Sequence, residues 1–286
     1  MCAVFFYNSK KIIAFFSKSI YNVSNRYLGR LGLKILFIGD VVGDNGRELL
    51  LKRLPAIKKE YSCDVCIVNG ENSNESGTGM TKADADDIFA AGADVITGGN
   101  HSMRRANISL YEENQYLLCP QNLLYAEKGC GVCQVDLGRT ALYVVNLMGT
   151  AFMENHKNPF FEIDKILADI DGKNIFVDFH AESTAEKYAF AHYCDGRVSA
   201  VVGTHTHVQT NDEQILPGGT GYITDAGCVC ADNSVLGVVK ELAIEKQKYL
   251  RPIHFKTAVG SGYVNGVFIE IDNNGKAVKI EKVHIK

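Results

Sequence analysis

The chain has 286 residues, of which 46% are hydrophobic and 22% are charged, and its formal net charge is −3. This composition is typical of a globular protein with a substantial core, and it excludes a disordered or fibrous chain. The small negative charge excludes a long basic field of the kind that drives non-specific nucleic-acid binding. A polyanionic substrate would therefore have to be bound through local contacts.

The first 33 residues differ in composition from the rest of the chain. They carry five basic residues and no acidic residue. We interpret residues 1–33 as a flexible extension or an over-extended translation start, because they lack the compact apolar core and small-residue cleavage site of a signal peptide. They also lack an apolar run near 18 residues, so no transmembrane helix is predicted. The folded domain is predicted to span residues 34–286.

The hydrophobic pattern from Lys34 to residue 97 predicts strands that alternate with helices. Continuous apolar runs are typical of strands buried on both faces. Pro55 is expected to bend or shorten its helix, whereas Thr81 and Asp84 predict a capping box at the start of the next one. The predicted strands cover 34–39, 65–68 and 94–97, and the predicted helices cover 46–60 and 81–92.

The second half of the chain contains a further alternation followed by more strands. Ser183 and Glu186 form an S-x-x-E pattern that predicts a capped helix start. Alternating units followed by strands indicate an α/β fold with mixed sheets covered by helices. Strands are predicted within 133–147 (two, joined by a turn at 137–140) and at 174–179, 198–202, 213–216, 220–224, 263–271 and 276–283, with helices near 161–169 and 234–247.

Polar side chains follow five of the predicted strands directly. Because α/β folds place their ligands at the carboxyl ends of parallel strands, we expect these groups to converge. Four of the eight histidines lie at these junctions. Imidazole, amide and a few carboxylates together favour transition metals, whereas Mg²⁺ or Ca²⁺ would favour a wholly carboxylate cage. The groups are Asp40, Glu71 with Asn72, Asn100 with His101, His180, and His205 with His207.

Glycine-rich turns admit a competing interpretation. Gly43, Gly46, Gly77 and Gly79 could cradle the phosphates of a dinucleotide. Against this interpretation, the carboxylate of Asp40 sits where a pyrophosphate would approach and would repel it. Residues 77–79 are instead expected to form a tight loop with positive φ angles, and in a metal enzyme the same loop can line the mouth of the substrate site.

The cysteines also allow two interpretations. Two C-x-x-C pairs, Cys63 with Cys66 and Cys130 with Cys133, could form a zinc ribbon. They lie more than 60 residues apart in strand-like segments, which favours buried structural thiols. Nine cysteines in apolar runs, rather than a loop framework of even number, favour a reducing cytoplasmic location.

Five motifs occur in an order that resembles the calcineurin-like metallophosphoesterases. The branch with the greatest resemblance is that of the YmdB-like bacterial phosphodiesterases, which use Asn-Gly-Glu-Asn in place of the usual Gly-Asp pair. The resemblance covers residues 34–286. The motifs are Gly39-Asp40-Val41-Val42-Gly43, Asn69-Gly70-Glu71-Asn72, Gly99-Asn100-His101, Asp178-Phe179-His180-Ala181-Glu182 and Gly203-Thr204-His205-Thr206-His207.

The resemblance implies a four-layer α/β/β/α sandwich of two mixed sheets flanked by helices. It also implies that Glu71 bridges two metal ions, Fe or Mn with Zn as an alternative, and that His101 is a catalytic acid that binds no metal. The implied ligands are Asp40, Asn72 and His207 for one ion and Asn100, His180 and His205 for the other.

The implied activity is hydrolysis of 2′,3′-cyclic and 3′,5′-cyclic nucleotides by in-line attack of a hydroxide held between the metals. A homo-oligomer and an RNA-related context are further implications, and no membrane partner is expected. Two segments depart from the branch pattern, Ser102-Met103-Arg104 and Cys230-Ala231-Asp232. Alternatives left open by the residues are a non-catalytic nucleotide- or protein-binding regulator on the same fold and a dinuclear amidase.

Overall fold

The computed structural model describes residues 32–106, 108–124, 130–153 and 156–286. Of the predicted extension, residues 1–33, only Gly32 and Leu33 belong to these ranges, and Leu33 is the first residue of a strand. The remainder of the extension lies outside the described residues. None of the helices within these ranges combines the length and apolar character needed to cross a bilayer.

The described residues form six helices and thirteen strands. The helices are α1 (Gly43–Tyr61), α2 (Lys82–Ala90), α3 (Ile108–Glu112), α4 (Pro159–Asp169), α5 (Thr184–Cys194) and α6 (Lys240–Tyr249). The strands are β1 (Leu33–Ile38), β2 (Asp40–Val41), β3 (Val65–Asn69), β4 (Val95–Thr97), β5 (Val132–Asp136), β6 (Ala141–Met148), β7 (Ile175–His180), β8 (Ala200–Thr204), β9 (Gln214–Ile215), β10 (Gly221–Ile223), β11 (Cys228–Ala231), β12 (Gly262–Ile271) and β13 (Ala277–Ile285).

The strands form two mixed sheets. The first has seven strands in the order β2-β11-β12-β1-β3-β4, with β13 paired to β12, and the second has six in the order β5-β6-β7-β8-β10-β9. Strands β1, β3 and β4 run parallel in the first sheet, and β6, β7, β8 and β10 run parallel in the second. Parallel neighbours end at the same edge, so the loops that follow them gather there.

Four layers are stacked in the order helix, sheet, sheet, helix. The sheets pack face to face, with the rings of Phe37 and Phe176 centred 5.2 Å apart. Leu50 of α1 and Ile88 of α2 cover the outer face of the first sheet, while Phe190 of α5 covers the second. The predicted α/β/β/α sandwich is therefore confirmed.

Helix starts and stops test the local predictions. The capping box at Thr81 and Asp84 is confirmed, since each side chain accepts from the backbone of the other. The expected effect of Pro55 on helix length is wrong: α1 continues to Tyr61. Tertiary packing of one apolar face outweighs the single hydrogen bond that proline removes.

The capping box predicted at Ser183 is only half formed. The Ser183 side chain accepts from the backbone of Glu186, but the Glu186 carboxylate accepts from the backbone N–H groups of Thr150 and Ala151 instead of closing the box. A tertiary partner has thus displaced the local one. The carboxylate ties the loop after β6 to the start of α5.

The segment from 228 to 240 differs most from the prediction. The helix begins at Lys240 rather than near 234, because Ser234 accepts from the Gly237 backbone and Leu236 adopts a φ of 54°, which together form a turn. Strand β11 was not predicted. It is only four residues long and is stabilised by pairing with β2 and β12, which a local pattern does not reveal.

Candidate metal centre

The carboxyl edge of both sheets brings together all eight residues predicted at strand ends. The first sheet contributes those that follow β1, β3 and β4, and the second contributes those at the ends of β7 and β8. In chain order they are Asp40, Glu71, Asn72, Asn100, His101, His180, His205 and His207.

Glu71 lies at the middle of this group. Its carboxylate is 1% exposed, with Oε1 3.4 Å from Nε2 of His180 and Oε2 accepting from the backbone N–H of His101 at 2.9 Å. Burial alone would raise the pKa of Glu71, but His180 and His101 lower it well below its ordinary value. Ligand atoms of Glu71, His180 and His205 lie within 4.8 Å of one another, so these three residues can hold a metal ion.

Gly99 explains how the backbone passes so near these groups. A Cβ atom at this position would lie 2.4 Å from Oε2 of Glu71 and 2.4 Å from Nε2 of His180. Only glycine leaves this space open. The Gly-Asn-His motif thus brings its two polar side chains to the centre without filling it.

His180 is held with one ring nitrogen free for a cation. The hydroxyl of Thr204 donates to Asp178 at 2.7 Å, so it must accept from Nδ1–H of His180, 2.9 Å away. Nε2 therefore carries a lone pair, and it lies 2.9 Å from Oδ1 of Asn100 and 3.0 Å from Nδ1 of His205. Burial lowers the pKa of His180 to about 3, so the ring is neutral, as a metal-binding imidazole must be.

Asp40 has an unpartnered oxygen on the other side of Glu71. Oδ2 is 3.3 Å from the backbone N–H of His205, whereas Oδ1 is buried with no hydrogen-bond partner and lies 3.9 Å from Nε2 of His207. Burial first, and then the charge of Glu71, raise the pKa of Asp40 well above its ordinary value. A buried carboxylate oxygen without a donor is costly, and a cation removes that cost.

Asn72 and His207 complete this second half of the centre. Nε2 of His207 lies 3.2 Å from the amide nitrogen of Asn72, and its other nitrogen faces the carbonyl of Leu236 at 3.3 Å. The Asn72 oxygen is 2.8 Å from Nδ1 of His101. A half-turn of the Asn72 amide would present its oxygen to the same space as His207. Carboxylate, amide oxygen and imidazole are a donor set that suits a transition metal.

The loop with His205 and His207 is strained and firmly held. Their φ angles are 101° and 66°, a region that costs non-glycine residues roughly 1–3 kcal/mol. Asp225 accepts from the Thr206 backbone at 3.0 Å and from its hydroxyl at 2.8 Å. The buried Lys187 ammonium lies 2.8 Å from the same carboxylate. The strain is thus maintained by a buried ion pair beneath the loop.

Three residues that support the centre were not predicted from the sequence. Asp178 receives hydrogen bonds from Thr204 and Asn69. Burial raises its pKa to about 7. Glu182 lies 3.0 Å from Nε2 of His205, which leaves Nδ1 of His205 for the centre. Asp225 directly follows the predicted strand at 220–224, so the strand-end rule that identified Asp40 would have identified Asp225 also.

A cavity of about 880 Å³ opens beside the centre. The centre forms one side of it through residues that include His101 and His207. Ser76, Gly77 and Thr78 also line it, and the predicted positive φ angles of Gly77 and Gly79 are confirmed at 70° and 81°.

The competing interpretations do not match the structure. Within the described ranges, eight cysteines are free and buried, and none of them belongs to a group of three or more Cys, His, Asp or Glu side chains that could hold a metal ion. The zinc-ribbon interpretation is therefore excluded for these residues. A Cβ at Gly46 would lie 2.3 Å from the Val229 carbonyl, so this glycine allows close packing rather than phosphate binding.

Comparisons with known proteins agree with the motifs. The chain is 41% identical over 257 residues to the 2′,3′-cyclic-nucleotide 2′-phosphodiesterase of Bacillus subtilis (strain 168), covering 88% of this chain and 97% of that protein. A crystal structure of a novel phosphatase from Mycoplasma pneumoniae superposes with a TM-score of 0.84 at 33% identity, covering 90% and 94%. A hypothetical protein from Thermus thermophilus superposes with a TM-score of 0.82 at 34% identity, covering 88% and 98%.

The family model described as YmdB-like protein matches residues 36–283, which is nearly all of the predicted domain. The relatives match almost from end to end, so the likeness is one of whole domains rather than of a shared motif. The chain belongs to the YmdB-like family.

Proposed function

We propose that this protein is a dinuclear metal-dependent phosphodiesterase that hydrolyses 2′,3′-cyclic nucleotides. The observation that carries the proposal is the convergence of buried Glu71, the neutral imidazole of His180 and an unpartnered Asp40 oxygen at one sheet edge. The name of the Bacillus subtilis relative supports the substrate class.

We assign Asp40, Asn72 and His207 to one ion, with Glu71 between the two sites. Asn100, His180 and His205 would hold the other, in keeping with the 2.9 Å and 3.0 Å approaches of their donor atoms. When bound, the ions would supply a water of lowered pKa and neutralise charge at phosphorus. The nitrogen and oxygen donors suit Fe, Mn or Zn.

His101 is assigned as the proton donor to the leaving group. Its Nδ1 lies 2.8 Å from the side-chain amide of Asn72. With that amide turned so that its oxygen faces the ion, the amide nitrogen would donate to Nδ1, and the neutral ring would carry its proton on Nε2, in the cavity that the ring lines. As water adds to phosphorus, the bond from phosphorus to O2′ breaks and Nε2–H protonates the departing oxygen. The product is a 3′-phosphate with a free 2′-hydroxyl.

The setting of the enzyme is part of the same proposal. Free, buried cysteines support a reducing cytoplasmic location. A homo-oligomer remains a prediction from the family resemblance.

The test combines elemental analysis of protein purified without added metal with a substrate panel. The panel holds 2′,3′-cyclic AMP, 3′,5′-cyclic AMP and an aryl phosphodiester, each assayed with Mn²⁺. We expect about two transition-metal ions per chain and turnover of the 2′,3′-cyclic nucleotide. Bound metal without turnover of any phosphodiester would favour the non-catalytic regulator, and metal-free protein that cannot be reloaded would contradict the proposal. An aryl amide in the same panel tests the amidase alternative.

A further inference from the structure

The cavity beside the metal centre has a second side formed by the segment between β11 and β12. This side, the far wall, consists of the cavity-lining residues Leu236, Ile244, Lys246, Lys248, Phe255 and Lys256. Most of them lie on α6 or just after it. The far wall belongs to none of the motifs that form the centre.

The far wall carries three lysines that form no ion pair with the described carboxylates. Within the described residues, no Asp or Glu oxygen lies within 4 Å of the ammonium groups of Lys246, Lys248 or Lys256, whereas Lys240 on the same helix does approach Glu241 at 3.9 Å. A solvated surface lysine is ordinary, but three that line one cavity with a phosphodiester centre provide local attraction for anions. Because the chain as a whole has a net charge of −3, this group of positive charges contrasts with the charge of the whole protein.

The far wall also presents an exposed aromatic ring. Phe255 is 39% exposed, and the ammonium of Lys246 lies 4.6 Å from its ring centroid. Exposed Ile244 and Leu236 extend the apolar surface. An aromatic face beside basic groups is the combination by which proteins bind single-stranded nucleic acid, since bases stack on the ring and phosphates meet the cations.

A free cyclic mononucleotide does not account for these lysines. Its single negative charge is the cyclic phosphate, which the proposed reaction places at the metal centre. Three further cations in the same cavity therefore imply further phosphates on the substrate. In a strand of RNA, those phosphates and their bases are supplied by the nucleotides on the 5′ side of the end.

We propose that the far wall binds the nucleotides that precede a terminal 2′,3′-cyclic phosphate, so that the preferred substrate is a single-stranded oligoribonucleotide. The inference rests on the proposed function. Water adds to the terminal phosphorus, the bond to O2′ breaks, and O2′ takes the proton. The product is the same strand ending in a 3′-phosphate.

The experiment compares a trinucleotide that ends in a 2′,3′-cyclic phosphate with the matching cyclic mononucleotide on the metal-loaded full chain. The measured quantity is the ratio of their kcat/KM values. We expect a ratio of at least about ten in the wild type, which falls toward one in the triple variant Lys246→Gln/Lys248→Gln/Lys256→Gln. With two linking phosphates bound, the logarithm of kcat/KM should fall with the logarithm of salt with a slope near about −1.4 for the trinucleotide.

Two controls distinguish binding at the far wall from a general effect of lost positive charge. The triple variant Lys52→Gln/Lys59→Gln/Lys286→Gln removes the same charge from exposed positions outside the cavity and should keep the ratio. Phe255→Ala should lower the ratio about tenfold, and Phe255→Tyr should restore it, because stacking needs only an aromatic face. Equilibrium binding of the 3′-phosphate trinucleotide should weaken in the same variants.

A wild-type ratio near one, or an equal loss in both triple variants, would overturn the far-wall inference while leaving the phosphodiesterase intact. If neither substrate is hydrolysed by metal-loaded protein, the proposed function fails, and the inference fails with it.

Discussion

The two sides of the cavity are built in opposite ways. On the side of the centre, His180 and Asp178 have no exposed surface and Glu71 has 1%, and each is oriented by short polar contacts. On the far wall, Ile244 is 58% exposed, and Ala243 is the one buried residue of α6. The charged and metal-binding side chains of the centre are therefore buried and held in place, whereas the lysines of the far wall are solvated.

The contrast separates the reaction from the choice of substrate. In a buried site of low dielectric, an electrostatic contact is strong and a missing partner is costly, so each residue of the centre depends on the others. On an exposed surface the same charges are screened, and each contributes little alone. The centre should therefore tolerate few substitutions, whereas the far wall can change without loss of the fold.

Removal of Glu71 is the most severe test of the buried side. In Glu71→Ala we expect loss of bound metal and a fall in kcat of at least about 10⁴-fold, because the nucleophile itself depends on the ions. Elemental analysis and steady-state kinetics measure both effects. Glu75→Ala, which alters an exposed acid four residues away, is the matched control. Unchanged metal occupancy in Glu71→Ala would contradict the assigned position between the two ions.

His101→Ala should separate chemistry from metal binding within the same centre. We expect metal content to be retained while kcat for the cyclic nucleotide falls by about 10²–10⁴-fold, the usual contribution of a general acid. The loss should be much smaller for a p-nitrophenyl diester, whose leaving group needs no proton. Equal losses for both substrates would argue against proton donation by His101.

Lys187→Met tests how far the rigidity of the centre depends on the ion pair beneath the His205 loop. The variant leaves the buried carboxylate of Asp225 without its cation, so the free energy of unfolding should fall by about 3–5 kcal/mol. Equilibrium urea denaturation measures it. The double variant Lys187→Met/Asp225→Asn should recover part of the loss, and a double variant no more stable than the single one would contradict this account.

Ile244→Ala is the corresponding test on the far wall and should have the smallest effect. Because the side chain is 58% exposed, we expect the free energy of unfolding to change by less than about 0.5 kcal/mol. Thermal and urea denaturation are the measurements. A loss near that of Lys187→Met would remove the proposed difference between the two sides.

The motifs in the sequence, through the family resemblance that they carry, were sufficient to predict the architecture, and the positions at strand ends were sufficient to predict which side chains converge. Asp40, Glu71 and His180 each follow an apolar run, and the carboxyl ends of parallel strands meet at one edge whatever the details of packing. The capping box at Thr81 was predictable for a similar reason, since its partners are three residues apart. Strand ends and helix caps can be predicted from the sequence because the residues that form them lie within one strand or one helical turn.

Only the tertiary structure decided which groups support the centre and what faces it across the cavity. Lys187 and Asp225 are 38 residues apart and meet because two elements pack together, and β11 exists because β2 and β12 lie on either side of it. The far wall likewise lines the same cavity as His101 because a long connection between strands returns to it. Such contacts join residues distant in the chain, so their free energy is absent from any local pattern and appears only once the sheets have packed.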